Sequence, residues 1–385
     1  MDHTQAAHNQ AIAWLADQRP AMIDLLEILV NIDSGSHHKV GVDAVGAEIE
    51  RFLAGFDIPC QRIPHPRYGD AMEANLGPTT GEYVLLMGHR DTVFPVGTAA
   101  ERPFRIEGSR AFGPGVADMK GGLVINSFVM AAFARAGGPP LPLRALYTGD
   151  EEIASPSSRP LIETAAKNAR AVLNAEPGRV SGNVVTRRNG AAFITVEIEG
   201  RAAHAGGQHA EGISAIEEAA RKITALHGLT DYAKGITVNV GLVQGGVTVN
   251  TVAPFARLDI DTRFPDETTM AESLAAIEAI VAQAFLPGTR SSEVERRIFL
   301  PVPTNPATEQ LLWIYRRAAA TVGFAVDGEY AKSSADSGFT YAVGTPTLCA
   351  TGPVGHKAHT PDEYLELDTM VPRAQALAQT VGLLA

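Results

Sequence analysis

The chain has 385 residues, more than one ordinary domain holds, so two domains with ample cores are expected. Hydrophobic residues make up 45% and charged residues 19%, both ordinary for a soluble globular protein. A formal net charge of −11 excludes nucleic acid and anionic membranes as general partners and leaves an acidic substrate only a local basic pocket.

Cys60 and Cys349 do not form a Cys-x-x-Cys pair and are read as buried free thiols. Residues 1–10 are polar, without a basic region followed by an apolar one, so no secretory signal is expected. Uninterrupted apolar runs stay far below the ~18 residues that span a bilayer. A cytoplasmic protein with no membrane contact is the expectation.

Residues 5–31 carry helical periodicity in two segments. Ile12, Trp14 and Leu15 mark the first; Met22, Ile23, Leu25, Leu26, Ile28 and Leu29 mark the second, with Pro20 in its first turn. Asp33-Ser34-Gly35-Ser36 breaks the pattern. A further helix near 42–56 sets Val45, Ile49, Phe52 and Leu53 on one face. Tyr83 to Met87 is a continuous apolar run ending at Gly88, as in a strand buried on both faces of a mostly parallel sheet. Leu143 to Tyr147 and Ala171 to Leu173 repeat that pattern. Between the first two runs, 121–136 reads as a helix closed by Gly137-Gly138. Strand, helix, strand predicts an α/β layer, whose ligands sit beyond the carboxyl ends of the strands.

After about Val184 the pattern changes to alternation. Ile194, Val196 and Ile198 face one way and Thr195, Glu197 and Glu199 the other; 257–263 alternates likewise around Leu258 and Ile260. Helical runs at 211–227 and 267–285 would cover the buried face. From about Leu300 the α/β pattern returns, with a helix near 307–322 and an apolar run, Thr347 to Ala350. The fold class is therefore α/β: a discontinuous domain over 1–184 and 300–385, with an α+β domain inserted over 185–299.

Chemistry gathers at the predicted strand ends. His89 and Asp91 follow the first strand, and a ligand imidazole is commonly oriented by a carboxylate on its other nitrogen. Asp118 lies between Gly113-Pro114-Gly115 and Gly121-Gly122, where glycines admit close backbone approach. Its two oxygens suit a bridge between cations, or a helix cap. Glu151 and Glu152 follow the second strand; adjacent carboxylates point apart, so one can bind metal while the other acts as a base. A solvated acidic loop is the other reading. Glu176 adds a carboxylate after the third strand. His356 and His359 both offer imidazoles, and spacing does not choose between them. His3, His8, His37, His38 and His65 are read as surface or loop groups. Two histidines and three or four carboxylates suit Zn, Mn, Co or Ni, and a carboxylate bridge suits a two-metal centre.

In this order the motifs resemble the dizinc metallopeptidase family of glutamate carboxypeptidases, aminoacylases, acetylornithine deacetylases and succinyl-diaminopimelate desuccinylases. The likeness runs from Asn31-Ile32-Asp33-Ser34-Gly35-Ser36 to His359-Thr360-Pro361-Asp362-Glu363-Tyr364. It is nearest the glutamate carboxypeptidase branch, through Gly88-His89-Arg90-Asp91-Thr92-Val93-Phe94 and Gly113-Pro114-Gly115-Val116-Ala117-Asp118. It implies a zinc-exopeptidase-like α/β/α catalytic domain and an inserted domain that serves as lid and dimerises.

The resemblance also implies two zinc ions per subunit, with cobalt or manganese as substitutes. His89 and Glu176 would hold one, Glu152 and His359 the other, and Asp118 would bridge. His359 fits rather than His356 because the family pattern is His, three residues, then Glu, here Glu363. Glu151 would be the general base toward a metal-bridging water, Asp91 would orient His89, and the Asp118–Met119 peptide would be cis. His204, in Gly200-Arg201-Ala202-Ala203-His204-Ala205-Gly206, would hold the oxyanion, commonly in the partner subunit's site. Asn250 and Arg263 would contact the substrate, Arg263 its carboxylate.

The implied reaction is hydrolysis of an amide or peptide bond next to a C-terminal amino acid, by a homodimer. The substrate would be an N-acyl amino acid or a peptide with a free carboxylate. An acetylornithine-type deacetylase or a dipeptidase would use the same centre. A non-catalytic binding dimer of the same fold would be expected to have lost a ligand or the base, and here every such position is filled. Two loops depart from the glutamate-specific pattern: 186–190 is more basic, and 332–338 lacks a double glycine before Asp336.

Overall fold

The computed structural model describes residues 3–78 and 80–385, apart from the side chains of His3 and Thr4; the reading of His3 as a surface group lies outside the described residues. The chain divides into two compact units. The first runs to Arg187 and resumes over Thr304–Tyr330 and Phe339–Ala385; the second comprises Arg188–Pro303 and Ala331–Gly338.

The first unit is built on a six-stranded sheet. Its order is Cys60–Ile63, Ala71–Leu76, Leu143–Thr148, Tyr83–His89, Ala169–Asn174, Thr347–Leu348. Tyr83–His89 lies parallel to both neighbours, Leu143–Thr148 and Ala169–Asn174, and is buried along its whole length. That explains its unbroken apolar run: both faces are covered, so alternation has no role. Cys60–Ile63 and Ala71–Leu76 add an antiparallel edge that no apolar run announces.

Helix Gly121–Arg135 packs on this sheet with Gly121 through Phe133 all buried. Counted from Val116 to Arg135, the stretch is long and apolar enough to cross a bilayer by composition, but nearly all of it is buried inside the protein. It is a core helix. Gly122 makes the close packing possible, because a Cβ there would stand 2.0 Å from the Ala175 carbonyl oxygen. The start of this helix is thereby pressed against the end of the Ala169–Asn174 strand.

His8, expected at the surface, is buried. Its helix, His3–Ala16, packs on the helix Met370–Leu384, so Nε2 reaches Gln379 Oε1 at 3.0 Å and the ring faces Phe133. Both cysteines are free; Cys349 is buried, whereas Cys60, on an edge strand, is half-buried. Burial pushes the Cys60 thiol up to about 11.

The second unit is a four-stranded antiparallel sheet in the order Thr237–Gly245, Phe255–Phe264, Gly190–Glu199, Arg290–Phe299. Val196 stands opposite Leu258 and Ile194 opposite Ile260, so the alternating residues form one apolar face. Helices Ala215–His227 and Glu267–Ala282 cover it through Ala219, Leu226 and Ile277. Lys222 and Glu218 are fully buried between the helices, 3.1 Å apart. Lys222 donates to the Ile280 and Val281 carbonyls, and Glu218 accepts from the Phe285 and Leu286 N–H groups. Every strong donor and acceptor of the pair therefore meets a partner.

Removing one partner would leave the other charged group buried and uncompensated. Glu218→Ala is expected to lower the unfolding free energy of the second unit by about 3–5 kcal/mol, measured by urea denaturation. An unchanged midpoint would show that the pair contributes nothing.

Candidate metal centre

The site stands where the parallel strands of the first unit end. His89 is the last residue of its strand and is 2% exposed. Its Nε2 lies 3.2 Å from Asp118 Oδ1, 3.7 Å from Glu176 Oε1 and 3.9 Å from Glu151 Oε2. Glu151 and Glu152 open the helical turn Glu151–Ile153, which follows Leu143–Thr148 after two residues. Glu176 follows Ala169–Asn174 at the same edge.

Asp118 enters from the turn Val116–Lys120, whose helical path is broken at Asp118 and Met119. The Asp118–Met119 peptide is cis, as the resemblance implies. Asp118 Oδ1 faces His89, while Oδ2 lies 3.4 Å from His359 Nε2. His359 also stands 3.2 Å from Glu152 Oε2. Each oxygen of one carboxylate thus addresses a different histidine. His356 instead pairs across a two-residue strand with Tyr364 and stacks edge-on against that ring. The structure resolves the pair that spacing left open: His359 joins the cluster.

Two residues that sequence reasoning left without a role hold this arrangement together. Glu363 is buried, and its carboxylate accepts from the N–H groups of Gly115 (3.0 Å), Ala117 (2.8 Å) and Asp118 (3.0 Å). It fastens the loop that carries His359 to the turn that carries Asp118. Its only signal in the sequence is its spacing from His359. Arg90, between His89 and Asp91, is buried and donates to the carbonyls of Val42, Asp70 and Thr148. It ties the strand end to helix Lys39–Ala54, and burial lowers its guanidinium to about 10.

Asp91 has a broader part than orienting His89. The nearer partner of His89 Nδ1 is the Asp91 backbone carbonyl at 3.0 Å; the carboxylate stands at 3.4 Å. That carboxylate accepts from Glu151 N (3.0 Å), Glu152 N (3.1 Å) and Ser36 Oγ (2.7 Å). Asp91 therefore fixes the backbone from which both glutamates project.

The electrostatics call for a cation. Burial, and then the Asp118 charge, push the Glu152 carboxyl up to about 7. Bonds to Asp118 and Glu152 carry the His359 imidazole up to about 10. Burial draws the His89 imidazole down, but the Glu151 charge and the Asp118 and Asp91 bonds outweigh it and leave it well above its ordinary value. Protons are being gathered where negative charge is concentrated, and a divalent ion meets the same demand. Glu152 Oε1 is buried without a hydrogen-bond partner. Among the described residues, His89, Asp118 and Glu152 bring ligand atoms within 4.8 Å of one another, as do His89, Glu151 and Glu176. Imidazole and carboxylate donors at this spacing fit first-row divalent ions.

The remaining assigned residues lie in the second unit. His204 and Asn250 are neighbours there: His204 pairs with Thr251 across a β-bridge, and the Ala205 N–H donates to the Asn250 carbonyl at 2.9 Å. His204 Nδ1 accepts from Gly206 N and Gly207 N, both at 3.1 Å, so the proton of the neutral ring sits on Nε2. Arg263 forms a two-point bond with Asp261, both contacts at 2.6 Å, and reaches Ser334 Oγ at 3.2 Å. Arg188 donates to the carbonyls of Ser333 and Ser334. The two loops that depart from the family pattern therefore meet through Arg188.

A sequence profile of peptidase family M20/M25/M40 matches residues 85–382. The chain belongs to this family. As an M20/M25/M40 peptidase it is a metal-dependent hydrolase of peptide or amide bonds, acting on small peptides or acylated amino acids. It is 28% identical over 389 aligned residues to carboxypeptidase G2 of Pseudomonas sp. (strain RS-16), covering 98% of this chain and 92% of that one. This similarity agrees with the glutamate carboxypeptidase branch. Among solved structures, an M20 family metallo-carboxypeptidase from Sulfolobus solfataricus superposes with a TM-score of 0.75 at 17% identity, over 96% and 99% of the two chains. Human carnosine dipeptidase 1 gives 0.73 at 12% identity, over 98% and 99%. These likenesses carry the fold.

Zinc added to metal-free protein is expected to raise the thermal unfolding midpoint, by about 2.7 kcal/mol of stability at a hundredfold excess over Kd, and a chelator to reverse it. Glu363→Ala, which orphans three buried N–H groups, should lose about 3 kcal/mol of stability and retain less zinc on dialysis. Glu363→Gln, keeping an acceptor oxygen, should lose less. Wild-type zinc retention in Glu363→Ala would refute the coupling.

Proposed function

We propose that this peptidase is a two-zinc exopeptidase or amidohydrolase that cleaves the amide bond next to a C-terminal amino acid. The observation that carries the reading is the two-sided approach to Asp118, His89 on one oxygen and His359 on the other. His89, Glu176 and one Asp118 oxygen would hold one ion; His359, Glu152 and the other oxygen would hold the second. Such ions, when bound, acidify a water and polarise a carbonyl oxygen.

The chain's own residues supply the proton transfers. Glu151 is buried beside the cluster and is the general base, taking a proton from the attacking water and returning it to the leaving amine. Asp91, by holding the backbone N–H groups of Glu151 and Glu152, keeps the base and the adjacent ligand pointing apart. His204 presents Nε2–H, the donor an oxyanion requires, and Asn250 beside it offers an amide. Arg263 is the match for the substrate carboxylate; that carboxylate would take over the two-point geometry Asp261 now occupies.

A homodimer through the second unit completes the reading. Support comes from the sheet-edge strand Thr237–Gly245, which leaves Leu242 and Val243 exposed. A cytoplasmic location is proposed with it.

Glu151→Gln is expected to keep its zinc and lose 10²-fold to 10⁴-fold in kcat, roughly the worth of a general base; wild-type turnover would remove Glu151 from that role. The substrates are read from a panel of N-acyl amino acids, N-acyl-glutamates and dipeptides with added zinc. Mixing Glu151→Gln with His204→Ala subunits should recover activity if His204 serves the partner's site. Verified heterodimers without recovery would place it within one subunit.

A further inference from the structure

We propose that the cavity walled by Val93, Phe94, Val96 and Ile153 is the subsite for the apolar acyl side of the substrate. The inference rests on the proposed cleavage of the amide next to a C-terminal amino acid and adds to it the chemical class of the acyl group.

The cavity has a volume of about 460 Å³, within the roughly 300–1,000 Å³ of small-molecule sites. It adjoins the metal centre, because Glu152 is one of its lining residues. Ser36, which donates to Asp91, is another. A group bonded to a carbonyl carbon at the cluster therefore has this space within reach.

One wall, formed by Val93, Phe94, Pro95, Val96 and Ile153, is apolar and wet. Val93 is 42% exposed and Val96 is 63% exposed, next to one of the most charged places in the first unit. Apolar side chains held open beside a polar site mark a surface that a ligand covers. No Lys or Arg lines the cavity, and its polar lining is His37, His38, Ser36, Thr92 and Glu152. With no fixed cation and the Glu152 carboxylate in its lining, it suits an uncharged, hydrocarbon-rich group better than a succinyl-type acid.

The wall is also preformed. The segment after His89-Arg90-Asp91 is strapped to the 33–36 loop: Thr92 N donates to Ser34 O at 2.9 Å, and Ser36 N to Thr92 O at 3.3 Å. The Asp33 carboxylate accepts from Gly97 N (2.7 Å) and Ala99 N (2.8 Å), closing the far end. Gly35 allows this contact, since a Cβ there would stand 2.6 Å from the Phe94 carbonyl oxygen. The Arg102 guanidinium lies 4.9 Å from the centre of the Phe94 ring and holds its orientation. Little ordering is left for a ligand to impose, so burial of hydrocarbon converts efficiently into affinity.

The test is a ladder of N-acetyl-, N-butanoyl-, N-hexanoyl- and N-succinyl-glutamate with the zinc-loaded enzyme. We expect kcat/KM to rise about threefold per methylene from acetyl to hexanoyl, and the succinyl compound to fall below butanoyl. Val96→Glu should lower the hexanoyl-to-acetyl ratio by about tenfold through an unfavourable charge in the wall. Val180→Glu, at a residue 61% exposed and outside the cavity, should leave that ratio as in the wild type.

Calorimetric binding of the same compounds to zinc-loaded Glu151→Gln protein gives the preference without turnover. A flat ladder, a succinyl preference, or a ratio that Val96→Glu leaves unchanged overturns the subsite. A Val96-dependent preference in binding with no hydrolysis of any compound sustains the subsite and overturns instead the proposed cleavage of the amide next to a C-terminal glutamate.

Discussion

Asp118, Glu151, Glu152 and Glu176 are held close together at one edge of a sheet, where like charges repel and burial penalises each of them. The rest of the first unit is arranged to withstand that. Two further carboxylates are used as clamps. Asp91 takes the backbone N–H groups of Glu151 and Glu152, and Glu363 takes those of Gly115, Ala117 and Asp118. Neither clamp touches the point where ligand atoms converge. Each spends its charge on backbone donors, which are rigid and cannot be titrated away. The glutamates and Asp118 are thereby held on fixed backbone and left with side chains for a cation.

The scaffold beneath has the same purpose. A parallel sheet buried on both faces delivers its strand ends at one level, and His89, Glu151 and Glu176 all follow such ends. Helix Gly121–Arg135 lies against the sheet so closely that Gly122 admits no side chain, and the turn bearing Asp118 is the N-terminal continuation of that helix. Core packing therefore fixes the depth of Asp118 against the strands. Arg90 does the comparable work sideways, spreading its guanidinium over three carbonyls from separate segments.

The second unit follows different physics. One face of its antiparallel sheet is apolar and covered by helices, while the other carries charged residues that pair along the strands, such as Arg257 with Asp259 and Arg263 with Asp261. Its histidine and asparagine of interest sit on adjoining loops rather than on the sheet. The cluster of the first unit, by contrast, draws on strand ends for His89, Glu151 and Glu176 and on clamped turns for Asp118 and His359.

Much of this was legible in the residue order. Continuous apolar runs foretold the three central strands, alternation foretold the antiparallel sheet of the second unit, and strand ends foretold His89, Glu151, Glu152 and Glu176 at one edge, with Asp118 suggested by its glycine-rich turn. These readings are local: periodicity reports burial on one face or two, and strand ends lie where the runs stop. Tertiary structure decided what depends on distant segments meeting. It chose His359 over His356, because a short strand turns one ring toward Tyr364 and leaves the other beside Asp118. It gave Glu363 and Arg90 their roles, since a buried carboxylate or guanidinium is defined by which backbone groups surround it. It moved His8 from the surface to the core, and joined Arg188 to the 332–338 loop. Sequence determined which groups were available and on which elements; only packing decided which of them would meet.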